Sequence, residues 1–207
     1  MNKILIILLT LLISSQVFGQ EKIYFDENWL ETDAENADYY RIINPRGDLF
    51  FIQDFYISDS LQFEGLSSTP IDPLNLEGIV IWYYENGNIS KTSNFQAGIP
   101  HGQLTQNFED GSVQGIANYI KGELDGLFTE YYSNGILMGT AIYKKGKLHG
   151  DYSRYYENGN IAEIATYKND ELNGTIINYN LDGSVSETSF YKNGKLSYLA
   201  NLIDDLN

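Results

Sequence analysis

Residues 126–150 read GLFTEYYSNGILMGTAIYKKGKLHG, and this stretch decides the fold. An aromatic pair, Tyr131 and Tyr132, precedes Asn134-Gly135, and a second run of apolar and small residues leads to Tyr143. Asn-Gly between two such runs is a strong signal for a β-hairpin, because tight hairpin turns need positive φ. The stretch therefore predicts two antiparallel strands joined by a type I′ turn, with positive φ at both Asn134 and Gly135.

The same pattern repeats along the chain with a fixed period. The glycine that opens the stretch recurs every 24 residues, at Gly78, Gly102, Gly126, Gly150 and Gly174. Nine residues after each of these comes a glycine preceded by Asn or Asp, at Gly87, Gly111, Gly135, Gly159 and Gly183. A constant period of this kind is the sequence signature of a repeat architecture. We expect an all-β fold: an elongated, single-layer antiparallel sheet of tandem 24-residue β-hairpin repeats.

Each hairpin also carries a small residue followed by an aromatic one. The small residues are Ser93, Ala117, Ala141, Ala165 and Ser189, and the aromatic ones are Phe95, Tyr119, Tyr143, Tyr167 and Tyr191. Residues separated by an even interval share one face of a strand. The pattern therefore predicts that aromatic rings nest over small residues. A second, looser turn closes each unit, as in Lys145-Gly146.

The repeats define four segments of the chain. We expect a signal peptide at residues 1–19, an N-terminal cap at residues 20–49, a repeat array at residues 50–196 and a C-terminal cap at residues 197–207. The array holds five regular repeats and one degenerate repeat, in which Asp59 stands 28 residues before Gly87 because of an enlarged loop. The cap should contain a strand around residues 39–43. The end of the chain is compatible with a closing strand or a short helix.

The repeat resembles the membrane occupation and recognition nexus (MORN) repeat, in the variant found in bacterial proteins of the YwqK antitoxin type. Residues 126–143 and 150–168 carry the resemblance most closely, through the order Gly, two tyrosines, Asn-Gly, aromatic and Lys. The resemblance implies hairpins that join into a long twisted sheet. It also implies recognition of lipid or protein in some members and toxin neutralisation in others.

The first residues and the charge indicate where the protein acts and what it meets. Lys3 precedes the apolar run Ile4 to Ile13, which is typical of a secretory signal peptide and shorter than the roughly 18 residues of a membrane anchor. We expect cleavage after Gly19 and a periplasmic or extracellular protein without an integral membrane anchor. The formal charge of −15 disfavours nucleic acid as a partner and favours a basic one.

Nothing in the sequence predicts catalysis, a metal site or a cofactor. The two histidines, His101 and His149, lie two repeats apart, or about 19 Å at the spacing of neighbouring strands, so one metal ion cannot bridge them. Glu85, Glu109 and Glu157 recur in equivalent turns, whereas a general acid and base need unlike environments. We therefore expect a non-enzymatic protein.

The aromatic residues before the turns are the candidate binding surface. They are Trp82, Tyr84, Tyr131, Tyr132, Tyr155, Tyr156 and Tyr179. Cross-strand aromatic pairs also stabilise sheets, so a structural role for these rings is the competing interpretation. We expect an exported scaffold that binds a protein, a peptide or a glycan. The alternative is an antitoxin or immunity protein that neutralises a toxin by direct binding.

Overall fold

The computed structural model describes residues 21–200, and these form one open antiparallel sheet of 17 strands. The first strands are β1 (Ile23–Phe25), β2 (Tyr39–Arg46), β3 (Leu49–Tyr56), β4 (Leu61–Ser67), β5 (Leu76–Tyr83) and β6 (Ile89–Gln96). The middle strands are β7 (Ile99–Asn107), β8 (Val113–Ile120), β9 (Glu123–Leu124), β10 (Gly126–Tyr131) and β11 (Leu137–Lys144). The last strands are β12 (Lys147–Tyr155), β13 (Ile161–Lys168), β14 (Glu171–Leu172), β15 (Gly174–Tyr179), β16 (Val185–Lys192) and β17 (Lys195–Ala200). The predicted all-β fold of tandem hairpins is confirmed.

Strands pair in chain order, as repeated hairpins require. β8 pairs with both β9 and β10, and β13 pairs with both β14 and β15, so each short strand begins a longer one that is briefly interrupted. The interruptions fall at Asp125 and Asn173, whose backbone N–H groups donate to Asn118 and Thr166. The sheet continues from β2 through β3 without a break near residue 49.

The hairpin turns use two geometries, and our assignment of the type I′ turn was wrong. At Asn134-Gly135 only the glycine has positive φ, +81°, and its N–H donates to the Tyr132 carbonyl oxygen at 2.9 Å. This is a three-residue loop, a type I turn followed by a glycine bulge. The Asn134 carboxamide oxygen accepts the N–H of Ile136 at 3.0 Å, which holds the asparagine out of the left-handed region.

The type I′ geometry belongs to the second turn of each repeat. Lys144 pairs with Lys147, and both residues between them have positive φ: +51° at Lys145 and +75° at Gly146. A two-residue loop with positive φ at both positions fits type I′. The second turn, which the sequence predicts to be the looser one, has a two-residue loop. It is therefore tighter than the three-residue loop at Asn134-Gly135.

Small residues are buried beneath aromatic ones, as the sequence predicts. Ala165 is fully buried and lies opposite Tyr152, with Tyr167 two residues along the same strand. The two rings meet edge to face, with centroids 5.7 Å apart. Phe128 and Tyr143 form the same arrangement over Ala141, at 6.0 Å. A single layer thus excludes water locally, because large side chains from neighbouring strands close over each small one.

A cluster of buried apolar side chains lies near the N-terminal end, on the same face. Ile52, Phe63 and Val80 are buried together on β3, β4 and β5. Gly65 makes this possible, because a Cβ atom there would lie 2.9 Å from a methyl carbon of Val80. The enlarged loop between β4 and β5 contributes Leu74 to this cluster.

The remaining predictions concern the two ends of the chain. β2 contains the strand expected around residues 39–43. At the other end, residues 195–200 form a strand that pairs with β16, so the described part of the closing segment is not helical. The signal peptide at residues 1–19 and the end of the C-terminal cap lie outside the described residues. Within residues 21–200, no helix has the length and apolar character needed to cross a bilayer.

Candidate binding surface

Tyrosine hydroxyls join each repeat to the next. Tyr84 donates to the Asn107 carbonyl oxygen at 2.7 Å, Tyr132 to that of Tyr155 at 2.8 Å, and Tyr156 to that of Tyr179 at 2.7 Å. Each acceptor lies 23 residues after its donor. We call this series the tyrosine ladder. It gives three of the predicted surface residues a structural role, and their hydroxyls are occupied.

One repeat lacks the hydrogen bond of the tyrosine ladder. The residue equivalent to Tyr84 and Tyr132 in the intervening repeat is Phe108, which has no hydroxyl. Asparagine side chains reinforce other joints: Asn86 and Asn88 both donate to the Glu109 carbonyl oxygen, at 2.9 and 2.8 Å. The equivalent positions in the Phe108 repeat are Asp110 and Ser112, which bond to each other within their own turn.

The other predicted surface residues do not form one site. Tyr131, Tyr155 and Tyr179 each stand in the last position of a strand, and all are partly buried. Equivalent residues of neighbouring repeats are two strands apart, or about 10 Å. Trp82 differs from them, because it lies between Phe63 and Phe95 at ring distances of 5.5 and 6.2 Å. The predicted residues therefore line the sheet as a periodic row.

An aromatic face follows the small residues rather than the turns, and its rings contact one another in separate pairs: Trp82 with Phe95, Phe128 with Tyr143, and Tyr152 with Tyr167. We define it by Trp82, Phe95, Tyr119, Phe128, Tyr143, Tyr152, Tyr167 and Tyr191, all partly buried. Burial, followed by the charge of Glu163, raises the pKa of both Tyr152 and Tyr167. These rings stay neutral at physiological pH and present a C–H surface with hydroxyl groups attached. Such amphipathic rings are common at binding interfaces.

The histidines belong to a series of turn acceptors. In four of the five repeats, the residue before the repeat glycine accepts a backbone N–H from the next repeat. Glu77 accepts the N–H of Ala97 at 3.0 Å and Asp125 that of Lys145 at 3.1 Å. His101 does the same through Nδ1 for Lys121, at 3.4 Å. His149 instead contacts the Asn169 side chain at 3.1 Å. Within residues 21–200, no three histidine or carboxylate side chains are grouped as a metal ion would require.

A cleft at the N-terminal end of the aromatic face holds a buried ion pair that sequence reasoning missed. Arg41 binds Asp54 through two hydrogen bonds, of 2.6 and 2.9 Å, and a third reaches Asp72 at 3.0 Å. The Arg41 and Asp54 side chains are each 4% exposed, whereas that of Asp72 is 54% exposed. The cleft has a volume of about 400 Å³, and both Trp29 and Trp82 line it.

The charged groups in this cleft stabilise one another through hydrogen bonds and opposite charge. Burial raises the pKa of Asp54, and the hydrogen bonds and charge of Arg41 oppose that rise. Burial by itself lowers the pKa of Arg41, but Asp54 and then Asp72 outweigh it, and the net pKa shift is upward. Bidentate pairing of this kind favours the ionised form of both groups. Arg41 thus fixes the positions of two carboxylates that come from different parts of the chain.

The depression on the opposite face is larger but mostly apolar. It has a volume of about 530 Å³ and is lined by Phe51, Leu66, Ile79 and Ile81, with Arg46 and Glu64 at its border. Polar groups that converge on one point distinguish a ligand site from an apolar surface. The cleft beside Arg41 has that arrangement.

Three segments of the chain match a known protein family. Residues 76–97, 124–145 and 148–169 match the MORN repeat variant. These three segments are MORN repeats. Each matched MORN segment spans nearly a whole hairpin: the first strand, the three-residue turn and the strand that follows. The match is to the MORN repeat variant as such, so membership of the YwqK type stays a prediction. A search of curated proteins finds no significant match to the chain.

Proposed function

We propose that the protein is an exported, non-enzymatic scaffold whose aromatic face binds a partner in the cell envelope. The observation that carries this proposal is the aromatic face itself, in which partly buried rings recur along the sheet and the edge-to-face pair recurs in two successive hairpins, as Phe128–Tyr143 and Tyr152–Tyr167. MORN repeats are compatible with a binding scaffold. The periodic arrangement suits an extended partner better than a small molecule, because equivalent rings are spaced at about 10 Å.

The net negative charge of the chain favours a basic partner. The chain carries 28 acidic and 13 basic residues, so a partner with a basic surface associates faster and is less repelled than an acidic one. Such a partner would contact the rings through apolar groups and surround them with cationic side chains. We infer that binding weakens as the salt concentration rises.

Neighbouring residues of one strand offer a matched test of the face. Tyr167 lies on the aromatic face, and Thr166 points to the opposite side of the same strand. A photo-crosslinking amino acid placed at either position can be activated in envelope extracts. We expect a cross-linked partner from position 167 and not from position 166. Equal labelling from both positions, or none from either, contradicts the proposal. A captured toxin would favour the antitoxin alternative instead.

Export has its own test. The purified mature protein should begin at Gln20, which N-terminal sequencing after expression in a bacterial host measures. A protein that keeps Met1 and stays in the cytoplasm contradicts this part of the proposal, and leaves the binding face unaffected.

A further inference from the structure

The first turn of the sheet repeats the hairpin geometry with an unexpected residue. The Asp26 N–H donates to the Leu30 carbonyl oxygen and the Trp29 N–H to that of Asp26, both at 3.0 Å. In a regular repeat, Tyr84 and Asn88, then Gly87 and Tyr84, form the same two bonds. Trp29 therefore occupies the position that glycine holds in the regular repeats.

Tryptophan is a poor residue for this position. Its φ is +59°, in the left-handed region that a bulky side chain rarely adopts. The turn itself does not need the indole, because Gly87 and its equivalents form the same turn without a side chain. Strain of this kind persists where the side chain has another task. Here the ring stacks on Tyr39 with centroids 4.8 Å apart and an interplanar angle of 9°, and it lines the cleft beside Arg41.

The cleft combines both tryptophans of the chain with polar groups from the enlarged loop and from β4. The protein has two tryptophans, Trp29 and Trp82, and both line this cleft. Asp72 comes from the enlarged loop that interrupts the repeat period and supplies a half-exposed carboxylate. Gln62 adds an amide that both donates and accepts hydrogen bonds. The volume of about 400 Å³ is within the range of small-ligand sites.

The charges around the cleft indicate the chemistry of its ligand. The Lys91 ammonium lies 3.8 Å from the centre of the Trp82 ring, and the Arg41 guanidinium lies 5.9 Å from that of Trp29. Each tryptophan thus already has a cation beside it, and a cationic ligand would be repelled. Asp54 and Asp72 disfavour an anion in the same way. The two positive and two negative groups balance, which suits a neutral ligand.

We propose that this cleft binds a neutral saccharide, with one sugar ring packed against Trp29 or Trp82 and its hydroxyls bonded to Asp72 and Gln62. A sugar ring has C–H groups on its faces, which pack on an indole, and hydroxyls around its edge, which both donate and accept. Arg41 holds Asp72 in position for this contact. The proposal deepens the scaffold function, on which it rests, by giving the repeat array a glycan site at one end.

The two tryptophans make the test direct. Tryptophan emission can be excited without exciting the 17 tyrosines, so the signal reports this cleft alone. The purified protein is titrated with neutral oligomers of N-acetylglucosamine, glucose in β-1,4 linkage and glucose in α-1,4 linkage. Choline and oligogalacturonate provide the cationic and anionic comparisons. We expect a saturable change with at least one neutral oligomer and none with the charged probes. No change with any neutral oligomer, or saturation by a charged probe instead, overturns the proposal.

Two variants then place the binding in the cleft. Trp29→Gly restores the residue of the regular repeats, so the turn still forms, and we expect at least a tenfold loss of affinity by calorimetry with the best oligomer. Asp72→Asn keeps the shape of the side chain and should also lose tenfold or more. Asp182→Asn, in a turn near the other end of the sheet, is the matched control and should bind as the parent does. Unchanged affinity in both cleft variants overturns the site.

The outcome is separable from that of the scaffold proposal. Cross-linking from Tyr167 reports a partner on the aromatic face and does not use the cleft. A cross-linked partner without oligosaccharide binding would leave the scaffold standing and reject the glycan site. Loss of both signals would reject the two proposals together.

Discussion

Substitution of Gly135 by valine tests the turn geometry on which the repeat depends. Gly135 has a φ of +81°, and no atom lies within 4 Å of a Cβ atom built on it. A side chain therefore meets open space, and the whole cost comes from the backbone conformation. A non-glycine residue in such a region costs about 1–3 kcal/mol, with a β-branched residue at the upper end. We expect the free energy of unfolding to fall by that amount.

Ser133→Val is the matched control for this substitution. Ser133 lies in the same loop, is also exposed, and is not among the residues with positive φ. Its replacement should change the free energy of unfolding by about 0.5 kcal/mol or less. Urea denaturation followed by circular dichroism measures both variants. Hydrogen exchange should place the loss in β10, β11 and their neighbours, because repeats stabilise one another through adjacent contacts. Equal effects of the two substitutions would refute the assignment of strain to Gly135.

Three further predictions concern packing, ionisation and the buried ion pair. Ala165→Leu should lower the free energy of unfolding by about 1–3 kcal/mol in urea denaturation, because Ala165 is fully buried and has no room for added carbon atoms. Burial and then the hydrogen bond to Glu64 raise the pKa of Tyr83 to about 12, so its stabilising effect is complete below pH 10.0 and is lost as the pH rises towards 12. Glu64→Gln should lower that pKa, as measured by NMR titration of labelled tyrosine, and an unchanged value would contradict the role of the hydrogen bond. Arg41→Ala should lower the free energy of unfolding by about 3–5 kcal/mol in urea denaturation, because Asp54 would stay buried without its partner. A loss below about 1 kcal/mol would contradict a buried ion pair between Arg41 and Asp54.

The sequence predicts the sheet because its signals are local and repeated. A fixed 24-residue period with small and aromatic residues at even intervals allows few folds other than stacked hairpins. The type I′ turn was assigned wrongly to Asn134-Gly135 because Asn-Gly favours two geometries. Strand periodicity does not show whether the asparagine carboxamide bonds forward to the backbone, as that of Asn134 does, and this bond selects the three-residue loop.

The cleft could not be predicted, since its residues carry no shared pattern. Trp29 stands at a glycine position that becomes recognisable only when the turn hydrogen bonds are seen. Arg41 and Asp54 lie on paired strands, but their contact with Asp72 depends on how the enlarged loop folds over the sheet. The tyrosine ladder is different: its 23-residue offset is present in the sequence, and a search for donors facing the next turn could have found it.

The phenylalanine at position 108 divides the array mechanically. A force that pulls the two ends apart loads every joint between repeats in series, so the joint with the fewest cross-connections yields first. At the boundary between β8 and β10 in the described chain, no side chain of the Phe108 turn bonds to the turn that follows, and the Asn118 amide, which donates to the Leu127 carbonyl oxygen at 3.1 Å, lies away from the turns. We expect stretching to separate β8 from β10 first and to leave two shorter halves that are still folded.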